Sequence, residues 1–284
     1  YAIDDPWIEY SIRDEKGNME NYKYYNDNNF VSSYRVSKFV VDWMRERGDM
    51  RLPKLAEMMI KLDGKNADPT DLANYKGVIP NPGATGDNNN TDMEDGSQSR
   101  LKSKWYLEPV GPSAMNIGYP EQEFILAEAA LRGWTEDDPE THYLNGIRAA
   151  HEFLGVSSAD TRAYLGHEKV QFKGSDTEKL GKIITEKYLN FFMQGGNEAY
   201  FELRRTGYPD FSAYLTHNTD QIYNDGYLPL RYRYPQSEID NNNAQVSEAI
   251  KRLDKGDDRN SRMWLLQGSD PLFNPAPFPF RYKN

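Results

Sequence analysis

The sequence predicts a mainly α-helical fold, with tetratricopeptide-like helix pairs, long irregular loops and few or no strands. Three observations carry that expectation. Amphipathic stretches with apolar residues at helical spacing follow one another between residues 119 and 207. The turns between them are short. The flanks, 63–118 and 208–284, are rich in Asn, Asp, Gly and Pro and keep no sustained period. A helix apolar along one stripe must bury that stripe against a partner, so short-turned amphipathic helices point to hairpin packing. Residues 1–284 are read as a single domain with its helical core at about 119–207.

The elements follow in chain order. Residues 1–31 are rich in Tyr and Asn (ENYKYYNDNNF) and read as irregular. Ser32 or Ser33 is then a candidate N-cap for a helix carrying Val36, Phe39, Val40 and Trp43 up to Arg47, with Gly48 ending it. A shorter helical piece is expected after Pro53, over 55–62. The connection 63–118 holds YKGVIPNPGATGDNNNTDMEDGSQSR. Its acidic density over 87–96 raises the possibility of calcium, yet Asp92 stands where an EF-hand needs its turn glycine, so a solvated loop is the reading adopted.

Pro120 suits a first helical position, and EQEFILAEAALRG runs on to Gly133 with Phe124, Ile125, Leu126, Ala129 and Leu131 grouped mostly on one side. After WTEDDP, residues Tyr143, Ile147, Ala150 and Leu154 mark the next helix. A short segment spans 159–165. TEKLGKIITEKYLNFFMQ puts Leu180, Ile183, Ile184, Tyr188, Phe191 and Phe192 on one stripe, broken by Gly195 and Gly196. NEAYFELRRTG forms the last strong helix, and a short one is expected over 243–253. The tail PLFNPAPFPFRYKN reads as extended.

Composition narrows the function. The formal net charge of −10 argues against nucleic acid and against anionic lipid surfaces. The absence of cysteine rules out disulfides, thiolate metal sites and a cysteine nucleophile. No run approaches the ~18 apolar residues of a membrane span. The chain starts without an initiator Met, so it reads as a processed or truncated piece. The 20 tyrosines and 5 tryptophans supply apolar faces with polar tips, able to pack on one side and meet water or sugar on the other.

The histidines His142, His151, His167 and His217 lack metal-ligand spacing, and no metal or cofactor is implied. Glu198 and Glu202 share a helix face, which suits partners for nearby arginines better than a glycosidase pair facing across a cleft; no catalytic residue is assigned. Arg204 and Arg205 stand at a helix C-terminus, where guanidinium groups meet the negative dipole end. They are read as structural staples, paired with acids such as Glu128, with Gly207 permitting the helix exit and Pro209 preventing its continuation. Trp105, Tyr106 and Trp134 are the candidate ligand contacts, because flat rings among Asn, Asp and Lys are what sugar faces stack on. Trp7 and Trp264 are further loop tryptophans.

Several stretches together resemble the SusD/RagB family of surface nutrient-binding lipoproteins, in its SusD-like-2 branch. GDMRLPKL (48–55) is similar to the family's "DPRLP" step, with Met50 in place of Pro, and YKGVIPNPG (75–83) to its "PNG" loop with inserted residues. GYPEQEFILAEAALRGW (118–134), EKYLNFFMQGGNEAYFELRRTGYPDF (186–211) and LPLRYRYPQSEIDNNNAQV (228–246) resemble three further family blocks in the right order. The resemblance implies a lipid-anchored protein on the outer surface of a Bacteroidota-type bacterium. It would cap a SusC-like TonB-dependent porin and capture oligosaccharides or peptides without transforming them, its lipid anchor lying outside this chain. Family members run longer, and the match is to their C-terminal part. A helical scaffold that only seals or positions the transporter stays open as the alternative, with a helical glycosidase behind it.

Overall fold

The computed structural model describes residues 35–60, 67–78, 96–105, 117–211 and 229–261. Nine α-helices lie among them: α1 Lys38–Glu46, α2 Leu52–Leu55, α3 Tyr119–Leu131, α4 Pro139–Phe153, α5 Ser158–Gly166, α6 Asp176–Asn190, α7 Gly196–Thr206, α8 Gln236–Asn241 and α9 Asn243–Ile250. The described residues form no strand, only isolated bridges. The mainly helical fold expected from the sequence is therefore the fold observed.

The helix starts obey local chemistry. Asp138 caps α4 by accepting from the Glu140 and Thr141 amides, Ser157 caps α5, and Ser175 with Glu178 closes a reciprocal capping box on α6. Helices α3 and α4 form a tight hairpin at Gly146: a Cβ there would lie 2.6 Å from the Phe124 ring. Phe124, Tyr143, Ile147, Tyr164, Leu180, Ile183 and Ile184 make the core they share with α5 and α6. Within α3 the buried face is Glu123, Phe124, Ala127, Glu128 and Ala130. Ile125, expected on that face, is exposed, because a helix of about 3.6 residues per turn carries it away from the stripe of Phe124, Ala127 and Leu131. Glu123 and Glu128 lie on the buried face and meet His142, Arg132 and Arg205.

The second core is built differently. Val36, Phe39, Val40, Met44, Leu52, Leu55, Tyr75 and Leu101 gather from four separated stretches and meet Leu189 of α6. Backbone bonds stitch those stretches together: Val36 donates to Ser99, Val78 to Val36, Lys102 to Leu55 and Glu57 to Arg100. That stitching explains two departures from expectation. Helix α1 starts at Lys38 with Ser37 as N-cap, not from Ser32 or Ser33, since residues 35–37 commit their backbone groups to neighbouring segments. The short helix lies at Leu52–Leu55 rather than over 55–62, since Ala56 turns extended to bridge Leu101. Helix α8 was not foreseen, and α9 stops at Ile250, before Leu253.

Helix α6 belongs to both cores. Its first half supplies Leu180, Ile183 and Ile184 to one, and its last turns supply Tyr188 and Leu189 to the other. Between them Glu186 joins a buried polar cluster. Arg51, 1% exposed, donates from Nη2 to Asp49 Oδ2 at 2.6 Å and to Glu186 Oε2 at 2.8 Å. Tyr164 donates to the other Glu186 oxygen and accepts from Arg51 at 3.3 Å. His151 Nε2 lies 3.6 Å from Asp49, and its Nδ1 is 3.1 Å from Thr161. Burial, then the Arg51 charge, pulls His151 down to about 3, so it is the neutral imidazole. One guanidinium thus faces two carboxylates.

Candidate functional site

The turn after α6 carries the site. Met193 within it is a non-glycine residue at φ 60, a left-handed conformation costing on the order of 1 kcal/mol, and Gly195 leads into α7. A narrow cleft and a cavity lie on either side of this turn, and Asn190 and Gln194 line both.

The cleft is walled by Trp105, Phe153 and Phe192, with Arg51 also among its lining, and holds about 10 Å³. Trp105 ends the 3₁₀ turn Ser103–Trp105 and packs against the second core. Its ring meets Phe192 edge-on, centroids 5.9 Å apart, and Lys104 Nζ lies 5.4 Å from its centroid. Trp105 is thus half a core residue and half a cleft wall. The cavity on the other side holds about 150 Å³ and is lined by Gly118, Glu121, Phe191 and Glu198 with the two shared amides. Burial pushes the Glu121 carboxyl up; Lys187 opposes that, while Glu198 and Glu202 add to it.

Trp134 stands apart. It is 72% exposed, follows Gly133 at the C-terminal end of α3, and lies within 5.2 Å of the Arg132 guanidinium. Gly118, which lines the cavity, sits at the other end of that helix, about 20 Å away at 1.5 Å per residue. Trp134 lines neither the cleft nor the cavity. Tyr106, Trp7, Trp264, His217 and the acidic stretch 87–95 lie outside the described residues. Among the described residues no group of His, Asp or Glu is arranged to hold a metal ion.

The α7 terminus is fixed by its arginines. Arg205 donates to both Glu128 oxygens, at 2.6 and 2.7 Å, and to Glu202. Arg204 donates to the Leu230 carbonyl at 2.9 Å and lies over the Tyr200 and Phe201 rings at 4.6 and 5.0 Å. Gly207 adopts φ 81, the left-handed cap that lets its amide reach Leu203 O at 2.8 Å, and Pro209 follows through a cis peptide bond. Glu202 is taken up by Arg205 and Lys187, and Glu198 faces the cavity. No opposed pair of acids forms across a cleft from these two residues.

Sequence reasoning missed Arg51, Asn190 and Gln194. Arg51 sits in the DMRLP step, where only the family block marked it. The amides adjoin the Phe191–Phe192 pair and the Gly195–Gly196 break, and an aromatic pair running into glycines is the signal that marks the site.

Fold and site together define a class: a scaffold of α-helical hairpins that presents an aromatic cleft where one long helix ends. A family profile described as starch-binding associating with outer membrane (SusD-like_2) matches residues 8–235. The chain belongs to this SusD-like family. A solved SusD homologue of Bacteroides fragilis is 31% identical, with TM-score 0.72 over 85% of this chain and 54% of that one. An outer membrane protein of Bacteroides vulgatus, named in connection with nutrient binding, is 29% identical, with TM-score 0.71 over 81% of this chain and 51% of that one. A chitin-binding protein is 26% identical, with TM-score 0.63 over 81% of this chain and 49% of that one. This chain thus spans about half the length of these solved relatives. No curated protein matched the sequence.

Proposed function

We propose that this chain is part of a non-catalytic nutrient-binding protein of the outer membrane, exposed on the outer face of a Bacteroidota-type cell. It captures an oligosaccharide, or in the second instance a peptide, and passes it to a SusC-like TonB-dependent transporter. The observation that carries this reading is the Trp105 cleft: an aromatic wall beside two side-chain amides, built into a chain that matches a starch-binding family. Ring faces take the apolar side of a sugar and amides take its hydroxyls. Trp105 and Tyr106 supply the first stacking surface. Trp134, being so exposed, supplies a separate contact for the far end of a longer ligand. The reading assigns no catalytic residue: of the two carboxylates on one face of α7, Glu202 is taken up by Arg205 and Lys187.

The alternative is a helical scaffold that only seats the transporter, and it draws support from how much of Trp105 is spent on core packing. Calorimetric titration of the full-length protein against glycan and peptide panels, with affinity purification from cell envelopes, separates the two. Ligand binding with a copurifying barrel protein supports capture and delivery. A barrel partner with no ligand in either panel supports the scaffold. Neither ligand nor partner overturns both.

A further inference from the structure

We propose that the base of the Trp105 cleft is a single-oxygen slot, filled by one neutral hydroxyl of a saccharide and by a water molecule in its absence. The inference rests on the capture reading above and names the chemistry of that site.

Two donors set the slot. Trp105 Nε1 and Arg51 Nη1 are each buried, and each lacks an acceptor among the described residues. Both residues line the same cleft. Buried N–H groups without acceptors cost on the order of 1–3 kcal/mol each, so two on residues that line one narrow cleft call for an oxygen to serve them. The room there, about 10 Å³, is that of one water or one hydroxyl oxygen and no more. Asn190 and Gln194 at the same cleft offer further polar contacts to such an oxygen, and the Trp105 and Phe192 rings provide the apolar wall for the sugar ring that carries it.

Charge decides which oxygen enters. The Arg51 guanidinium is already committed through Nε and Nη2 to Asp49 and Glu186, two buried carboxylates against one cation. A third anion brought to Nη1 would add like charge at low effective dielectric, whereas a neutral hydroxyl accepts the same hydrogen bonds without that repulsion. A hydroxyl also replaces a resident water bond for bond, which is the condition for displacing an ordered water without losing affinity. The site is therefore suited to neutral sugars over uronic acids.

The test uses full-length protein with maltoheptaose, chitohexaose and hexagalacturonate. At least one neutral oligosaccharide should bind at least tenfold tighter than hexagalacturonate. Trp105→Phe keeps a six-membered ring but removes the N–H together with the five-membered half of the indole, and should weaken that binding at least about 3- to 10-fold, the share of one hydrogen bond. Equal affinity for the acidic probe, or Trp105→Phe binding within twofold of the native protein, overturns the slot while leaving capture standing. A native protein that binds none of the three overturns the slot. If it binds nothing in the wider panels either, the capture reading falls with it. A crystal structure of the ligand-free protein provides a check that needs no variant. One ordered water within hydrogen-bond distance of both Arg51 Nη1 and Trp105 Nε1 supports the slot, and a dry base refutes it.

Discussion

The two cores reach the same degree of burial by opposite routes. Around Phe124 and Ile183, the core is built by four helices that follow one another in the chain, joined by short connections. Around Val40 and Leu55, neighbours are stretches dozens of residues apart, held by single backbone hydrogen bonds such as Val36 to Ser99 and Ile60 to Gly96. The first arrangement is encoded by periodicity and caps. The second depends on which distant carbonyl each amide finds. The difference teaches where mutations should be felt as local packing losses and where as loss of chain alignment.

The largest expected effect is at the seam between the cores. Arg51→Met leaves Asp49 and Glu186 buried without their cation and should cost about 3–5 kcal/mol, read as a fall in the urea midpoint of unfolding. Both cores should melt earlier in this variant, and loss confined to one would break the comparison. Next come two glycines that set the contrast directly. A Cβ on Gly77 would lie 2.5 Å from the Lys38 backbone, and a Cβ on Gly146 would lie 2.6 Å from the Phe124 ring. A ring can tilt; a backbone stitched on both sides cannot. Gly146→Ala should cost about 1–3 kcal/mol and Gly77→Ala at least as much, with thermal melts deciding the order.

A smaller effect is expected at Glu128. Burial raises its carboxyl, but the hydrogen bonds and charge of Arg205, then those of Arg132, outweigh that and hold it below the usual 4.5. A depressed pKa contributes stability that is present above the unfolded value and lost as pH falls through the folded one. Melts taken from pH 6 down to pH 3 should therefore show a loss beginning near 4.5 that Glu128→Gln lacks. At neutral pH the variant should be weaker by about 1–2 kcal/mol. The smallest effect is at Trp134. Its ring is mostly in water, so Trp134→Ala should change stability by less than about 0.5 kcal/mol, while Trp105→Ala, which opens a gap beside Phe192, should cost several times more.

These contrasts also explain what could be read from the sequence. The stripe Leu180, Ile183, Ile184 and the Pro120 start were legible because helix geometry is local and repeats every turn. The RRTGYP ending was legible because dipole, glycine and proline chemistry act within a few residues. Ile125 was misassigned because an apolar residue next to Phe124 in sequence is turned by about 100° off the stripe that Phe124 and Ala127 define. The segments 35–37 and 56–57 were not legible as extended pieces, since their bridging partners lie more than forty residues away in sequence. For the site, Trp105 could be picked out as a loop tryptophan after a polar stretch. Arg51 could not, because nothing near it in sequence announces that α6 will bring Glu186 to it.

Helix α6 runs like a shared beam from one core, past the ionic seam, to the lip of the cleft. A swap of segments between relatives whose boundary fell inside 176–190 would mismatch two interiors at once, whereas an exchange beginning at Phe191 would replace the rim and leave its support intact. Diversity in what such proteins hold is thus free to accumulate at the beam's end, and the beam itself is where variation is least affordable.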